Sequence, residues 1–541
     1  MRERAVGARG RTSAPKSTWF GWVGAAALTA CSVVAVSGCA VSDGDIHHWE
    51  LTENGPEKLY AVMTHDKYPW PLRYEAAMAM VRMKPRGGQH IGLETLLKAL
   101  ESKDALSQTA RDKIVSDIGP KIMEQMQQKP VTLADGAIID PSVPYKDAAY
   151  GLYTEPSLVS DEKLKSDLAT AVAAWVQTDF ETRLDNRSQS YGVEQIMRAL
   201  GPVAVKSLPS YIREESTKVD RIASLVAEIG DDETKKKASE ALVLLAKRID
   251  SKEWVDKARQ LVNESNAKAK AASPGLPDVT PAQVDQQLKD YQKGELEKIL
   301  GSMKKVGQRP IIEWLLAYAS DQTKTTDLRK AAIAAMQGNV DKNNVSDVDR
   351  FYNILKDDKN PDEVRGLALE RLGELSRENV VPKLYALFDG KKWQVRMDSG
   401  RKLIEILKPM DEKAIADFMK HLPQTKDQKF GRNEGVVYGA SMAAMEPVGG
   451  KKPRDILNGY LQAKEIGPRL TAIGQYWGAK KDDAKAIMSL QEDATPVPHC
   501  EDADKCGWEC QVPKPNSKDL ETKKITTVGE FVKYCVIPSL E

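Results

Sequence analysis

The chain has 541 residues, with 79 Lys and Arg against 78 Asp and Glu, a balance that excludes an overall bias toward nucleic acid or anionic lipid. Five of those bases and one acid lie in the first 38 residues, so the remainder carries 74 bases against 77 acids. A body of roughly 500 residues implies two to four ordinary domains or one array of repeats, and beyond Cys39 no uncharged stretch approaches the roughly 18 residues that a membrane helix needs.

At the start of the chain Arg2, Arg4, Arg9, Arg11 and Lys16 face the single acid Glu3, and Ser17 to Gly38 is uncharged for 22 residues. A basic start, an apolar middle and small residues at the end form the layout of a secretory signal. At about 1.5 Å per residue the same run could cross a hydrocarbon layer about 30 Å thick, so a retained membrane helix is the alternative. The ending argues against that alternative. Val36-Ser37-Gly38-Cys39 resembles the bacterial lipobox, in which an aliphatic and two small residues precede an obligatory cysteine. The resemblance implies a diacylglyceryl group on the Cys39 thiol, cleavage of residues 1–38 and Cys39 as the first mature residue. It also implies a membrane-anchored lipoprotein facing the periplasm, with Ala40 in place of Asp favouring the outer membrane. Two or three acyl chains hold a protein durably, each buried methylene contributing about 0.8 kcal/mol. In "DGDIHHW", two acids precede His47 and His48; the choice lies between a metal site and a hydrated tether, and a tether over 39–50 is expected.

Beyond residue 50 alternating strand patterns are scarce, and three- and four-residue apolar spacings are everywhere, as in "LRYEAAMAMVRM" and "IIEWLLAYA". Four such segments align on an arginine. Before Arg73, Arg329, Arg365 and Arg396 stand Leu72, Leu328, Val364 and Val395; three residues later stand Ala76, Ala332, Ala368 and Ser399; seven later, Met80, Met336, Leu372 and Leu403. Asp66, Asp358 and Asp389 stand seven residues earlier, with Asp321 displaced by one. The acid marks a turn, the aliphatic-Arg pair opens a second helix, and the small residue lets it pack closely on its partner. The pattern resembles HEAT repeats, antiparallel helix pairs stacked into a solenoid, with spacings of 31 and 36 residues that are shorter than that family's. The expected fold class is all-α, a HEAT-like α-solenoid with a small disulfide-stapled C-terminal tail.

Lys129 to Tyr153 reads as an irregular insertion too long for an inter-helix turn. Asn266 to Gln283, punctuated by Pro274, Pro277 and Pro281, reads as a linker. The layout is then a signal (1–38), a tether (39–50), N-terminal helical repeats (51–265), a linker (266–283), C-terminal HEAT-like repeats (284–490) and a cysteine-containing tail (491–541). Four cysteines, Cys500, Cys506, Cys510 and Cys535, fall in that tail among Pro and turn residues. Their even number reads as two disulfides of open connectivity in an oxidising compartment. A zinc site is the rival, although only Cys506 and Cys510 have its short spacing. Poor in aliphatics before Ile525, the tail is expected to rely on cross-links in place of a core.

Chemistry is sparse. No GxSxG, HExxH or GxxxxGK[ST] occurs, so the common hydrolase and P-loop signatures are absent, and no catalytic residue, metal ligand or cofactor is assigned. Tyr68, Trp70 and Trp393 precede second helices, where they serve either as partner contacts or as caps over the repeat seam. The leading expectation is a lipid-anchored envelope scaffold that binds an unidentified envelope protein through its solenoid and the membrane through its lipid, with no nucleic acid. The alternatives are an enzyme or enzyme subunit with a site in the 129–153 loop, and a metal or small-ligand binder using the cysteine tail.

Overall fold

The computed structural model describes residues 41–86, 89–154, 157–183, 193–275, 277–499, 508–514 and 519–541. Cys39, Cys500 and Cys506 lie outside the described residues. The chain folds as a run of helices joined by short turns, with two small hairpins: α1 (Asp43–Glu50), α2 (Gly55–Thr64), α3 (Trp70–Arg82), α4 (Ile91–Glu101), α5 (Gln108–Gln125), β1 (Val131–Thr132), β2 (Ile138–Ile139), α6 (Val143–Thr154), α7 (Glu162–Arg183), α8 (Val193–Leu200), α9 (Val219–Ile229), α10 (Asp232–Ile249) and α11 (Lys252–Ala272). The second half holds α12 (Pro281–Val306), α13 (Arg309–Ser320), α14 (Thr326–Ala335), α15 (Val345–Lys356), α16 (Asp362–Leu372), α17 (Arg377–Tyr385), α18 (Trp393–Leu407), α19 (Glu412–His421), α20 (Arg432–Ala443), α21 (Pro453–Asn458), α22 (Ile466–Gly474), β3 (Glu509–Pro513), β4 (Leu520–Lys524) and α23 (Val528–Phe531).

Local chemistry starts these helices where they start. Side chains of Ser107, Asp231, Ser251, Thr325, Asn344 and Asp411 each accept from a backbone N–H in the first turn, satisfying a donor that has no intrahelical partner. Thr280 and Gln283 cap α12 reciprocally, with Pro281 at its first position. Gly307, at φ 62°, ends the same helix; a Cβ there would also sit 2.3 Å from the Asn339 side chain.

Consecutive helices joined by short turns pack on one another, α2 on α3, α13 on α14, α15 on α16 and α17 on α18. Second helices then stack in succession, α12, α14, α16, α18, α20 and α22, while α13, α15 and α17 form the other row. This is an α-solenoid, and its buried apolar residues make one continuous core from Ile46 to Leu540. Among the described residues no helix is long and apolar enough to cross a membrane.

Three expectations about segments are corrected. Residues 43–50 are no tether: they form α1, capped reciprocally by Ser42 and Asp45, with Ile46 fully buried against α2 and α3. Lys129 to Tyr153 is not an irregular loop. It is a hairpin followed by α6, whose residues from Tyr145 to Leu152 are all buried among α5, α7 and α3. Finally, α11 runs through Ala272 and α12 begins at Pro281, so only 273–280 connects them, and α12 packs on α9, α10 and α11. The linker therefore divides nothing, because the helices on its two sides share a core.

Candidate functional site

The aligned arginines are buried struts. Arg73 donates from Nε to Met63 O at 2.8 Å and from Nη1 to Asp66 Oδ1 at 2.7 Å, tying the end of α2 to α3. Arg329 repeats the first bond with Ala319 O at 2.8 Å, but its Nη2 bonds to Asn360 Oδ1 of the next repeat at 2.6 Å. Arg365 hydrogen-bonds Asp362 and lies 3.9 Å from Asp358. Burial pulls the guanidinium groups of Arg329 and Arg365 below their ordinary value, because charge loses its hydration there.

Arg396 has partners unlike those of Arg73. Asp389 is exposed, and the guanidinium faces forward to Glu434 of α20, Nε to Oε1 and Nη2 to Oε2, both at 3.0 Å. Its Nη1 donates to Gly390 O and Lys391 O at 2.8 and 3.0 Å, and Tyr438 donates its hydroxyl to Arg396 O at 2.7 Å. Arg396 is 2% exposed and Glu434 1%; burial raises the Glu434 carboxyl above the usual range while the two Arg396 bonds pull it back. Two more arginines occupy the same position. Arg469 of α22 donates to Ala463 O, Asp493 and Thr495, and Arg111 of α5 is buried with Asp104 seven residues before it.

Beyond Arg396 the ladder tightens. A Cβ on Gly439 would lie 2.2 Å from Thr471 O, and one on Gly474 2.3 Å from Gly435 O. Only hydrogen fits in those places, so α20 and α22 meet backbone to backbone.

On the solvent side of α16, α18 and α20 runs a groove of about 470 Å³. Leu369, Ile404 and Met445 form its apolar floor, and Gly366 leaves one end open. Its rim is charged. Three acids, Glu370, Asp398 and Glu405, face three bases, Arg401, Lys402 and Lys408; Lys402 pairs with Glu405 at 2.8 Å, Glu370 lies 3.6 Å from Arg371 and Asp398 accepts from Gln394 at 3.0 Å, whereas Arg401 and Lys408 are exposed and have no ion-pair partner among the described residues. An apolar floor with uncommitted cations suits a segment that carries apolar and acidic side chains.

Of the three aromatics, Tyr68 and Trp70 are tied into the repeat seam. Trp70 donates from Nε1 to Asp117 Oδ2 of α5 at 2.9 Å, with Arg73 and Lys113 over its ring. Tyr68 packs on the core beneath Lys67. Trp393, the first residue of α18, is half-buried.

The tail is not the coreless staple expected from its composition. Cys510 and Cys535 form a disulfide, which removes both thiols from any four-cysteine zinc site. Trp508, Ile525, Val528, Phe531, Val532 and Val536 join the solenoid core, Trp508 donating from Nε1 to Phe430 O at 3.3 Å. Arg432 of α20 hydrogen-bonds Glu509 O and lies 3.1 Å from Cys510 Sγ; burial lowers its guanidinium. The tail thus caps the exposed end of the last repeat, as terminal units of solenoids do.

No family model matches the chain, and no curated protein matches its sequence. Matching solved structures include importin beta crystallised in an ammonium sulfate condition, at TM-score 0.22 and 10% identity over 83% of this chain and 72% of that one. Kap121p matches at TM-score 0.27 and 10% identity over 83% of this chain and 48% of its own, so the chain spans about half of Kap121p. The solenoid assignment itself rests on the helix pairs described above.

Proposed function

We propose that the chain is a lipid-anchored scaffold of a bacterial cell envelope. Acylated at Cys39 and facing the periplasm, with the outer membrane favoured by Ala40, it holds a partner protein along its solenoid. The observation that carries the binding role is the α16–α18–α20 groove, whose floor is apolar and whose Arg401 and Lys408 have no ion-pair partner among the described residues. A segment of the partner with an acidic side chain flanked by apolar ones fits that chemistry, and desolvated charge pairs set the specificity of such contacts. The anchoring role is supported by the charged start, the uncharged run and the four residues Val36 to Cys39.

Two experiments test the two parts separately. In detergent-solubilised envelopes, Arg401→Glu combined with Lys408→Glu is expected to lower recovery of the stoichiometric partner at least tenfold, about 1.4 kcal/mol, with an unchanged melting profile. Unaltered recovery would sink the groove. Mass spectrometry of the mature amino-terminal peptide is expected to find Cys39 as its first residue with acyl groups attached, and Cys39→Ala is expected to leave residues 1–38 uncleaved and the chain unacylated; a mature chain that begins elsewhere or carries no acyl group would end the lipoprotein reading.

A further inference from the structure

The β1–β2 hairpin pairs Val131 with Ile139 and Thr132 with Ile138. Its turn is closed by Leu133 N–H to Ala137 O at 2.8 Å, and Gly136 takes φ 81°. The large apolar side chains are bare: Val131 is 54% exposed, Leu133 41%, Ile138 72% and Ile139 49%. Strand alternation puts Val131, Leu133 and Ile139 on one face and Ile138 beside Thr132 on the other, so apolar groups meet water on both. The hairpin is fixed at its root, where Asp140 Oδ1 accepts from Ser142 N–H at 2.9 Å and Asp140 Oδ2 lies 3.7 Å from Lys146 Nζ. A two-stranded ribbon with open edges is marginal alone and invites cover.

We infer that this hairpin is a docking finger which the partner protein encloses in an apolar cleft. The inference rests on the scaffold reading and adds a second contact, outside the groove, to the same partner. A lipid surface fits the hairpin poorly, since Asp135 stands at the tip with its carboxylate accepting Ala137 N–H at 3.0 Å, and that charge would lead into hydrocarbon. Pairing with the same hairpin of a second copy fits poorly too. A ribbon of this length buries a few hundred Å² per copy where a standard interface needs about 800 Å² per partner, and face-to-face pairing leaves Ile138 in water. A cleft covers both faces at once and leaves Asp135 to a polar group or to solvent at its far end.

The test uses the full chain in its own membranes, with the photocrosslinker p-benzoylphenylalanine replacing Ile138 and, as control, the 69% exposed Leu244. Irradiation at position 138 is expected to yield one crosslinked protein other than the chain itself, joined through an apolar peptide, and none at position 244. That protein is then purified, and its binding to the chain is expected to weaken at least tenfold in Ile138→Asp and to be unchanged in Leu244→Asp, with melting curves unaltered. Crosslinks confined to lipid, to a second copy or to nothing overturn the finger, as does binding within twofold of normal in Ile138→Asp. Partner loss in the Arg401→Glu/Lys408→Glu variant with full binding in Ile138→Asp would sink the finger and leave the scaffold standing. Full binding in both variants would sink both.

Discussion

The two hairpins of this molecule are built alike and treated in opposite ways. In β3 the inward residues Cys510 and Val512 are buried while their neighbours face water; the strand is bonded to Cys535, held by Arg432 and followed by a helix that completes the core. In β1 and β2 every residue faces water, and the hairpin is held at its root. One ribbon holds the fold and the other is held by it. The difference separates apolar surface that stabilises the chain from apolar surface presented to something else.

The contrast can be broken by mutation. Trp508→Ala, which empties the space against Phe531 and removes the bond to Phe430 O, is expected to cost about 3–5 kcal/mol in calorimetric or denaturant unfolding. Removing the Cys510–Cys535 link, whose partners are 25 residues apart, by the double Ala variant is expected to cost about 2–4 kcal/mol. A melting profile unmoved by either change would mean that the tail does not cap the solenoid. Ile139→Ser in the bare hairpin should stay within about 0.5 kcal/mol of the parent; a larger loss would reveal packing that its exposure denies. The smallest effect concerns pH. Glu530 is held below the ordinary carboxylate value mainly by Thr526, whose N–H and hydroxyl both donate to it at 2.7 Å. A carboxyl depressed in the fold stabilises above its unfolded pKa of about 4.3 and loses that contribution as pH falls through its folded value. The stability gap between parent and Glu530→Gln should therefore shrink below about pH 4, and a gap that widens on acidification would reverse the assignment.

The fold is legible in the sequence where one residue type is forced into one place. A buried guanidinium needs fixed acceptors, so the arginine columns of α3, α14, α16 and α18 stand out, whereas the Asp66–Arg73 pair is seen only in the fold. Asp389 stands in the same column but stays exposed, because nothing in a single repeat reveals that Arg396 turns toward Glu434. Arg469 escapes the columns because Pro468 replaces the aliphatic and Gln462 the acid, although Ala472 and Tyr476 keep the small and large positions. The helix α1 is hidden by its polarity, with only Ile46 and Trp49 as apolar residues, yet the Ser42–Asp45 box is there to be read. Residues 266–272 resemble a linker in their lack of bulk, but Ala and Lys are strong helix formers. The groove could not be foreseen. Its lining comes from three helices and the turn after the last, and which cations stay unpaired depends on rotations that spacing does not encode.

The forward bonds from Arg329 to Asn360 and from Arg396 to Glu434 bear on how such an array can be lengthened or shortened in evolution. Each of these units supplies a donor whose acceptor belongs to its successor. A deleted repeat leaves its predecessor with a guanidinium deprived of a mate, and a duplicated one is tolerated only if the copy opens with a matching oxygen. Such a chain grows like interlocking tiles, in which any new piece must match an edge already laid. That accounts for spacings that drift, 36 residues from Arg329 to Arg365 and 31 from Arg365 to Arg396, while the arginine keeps its station.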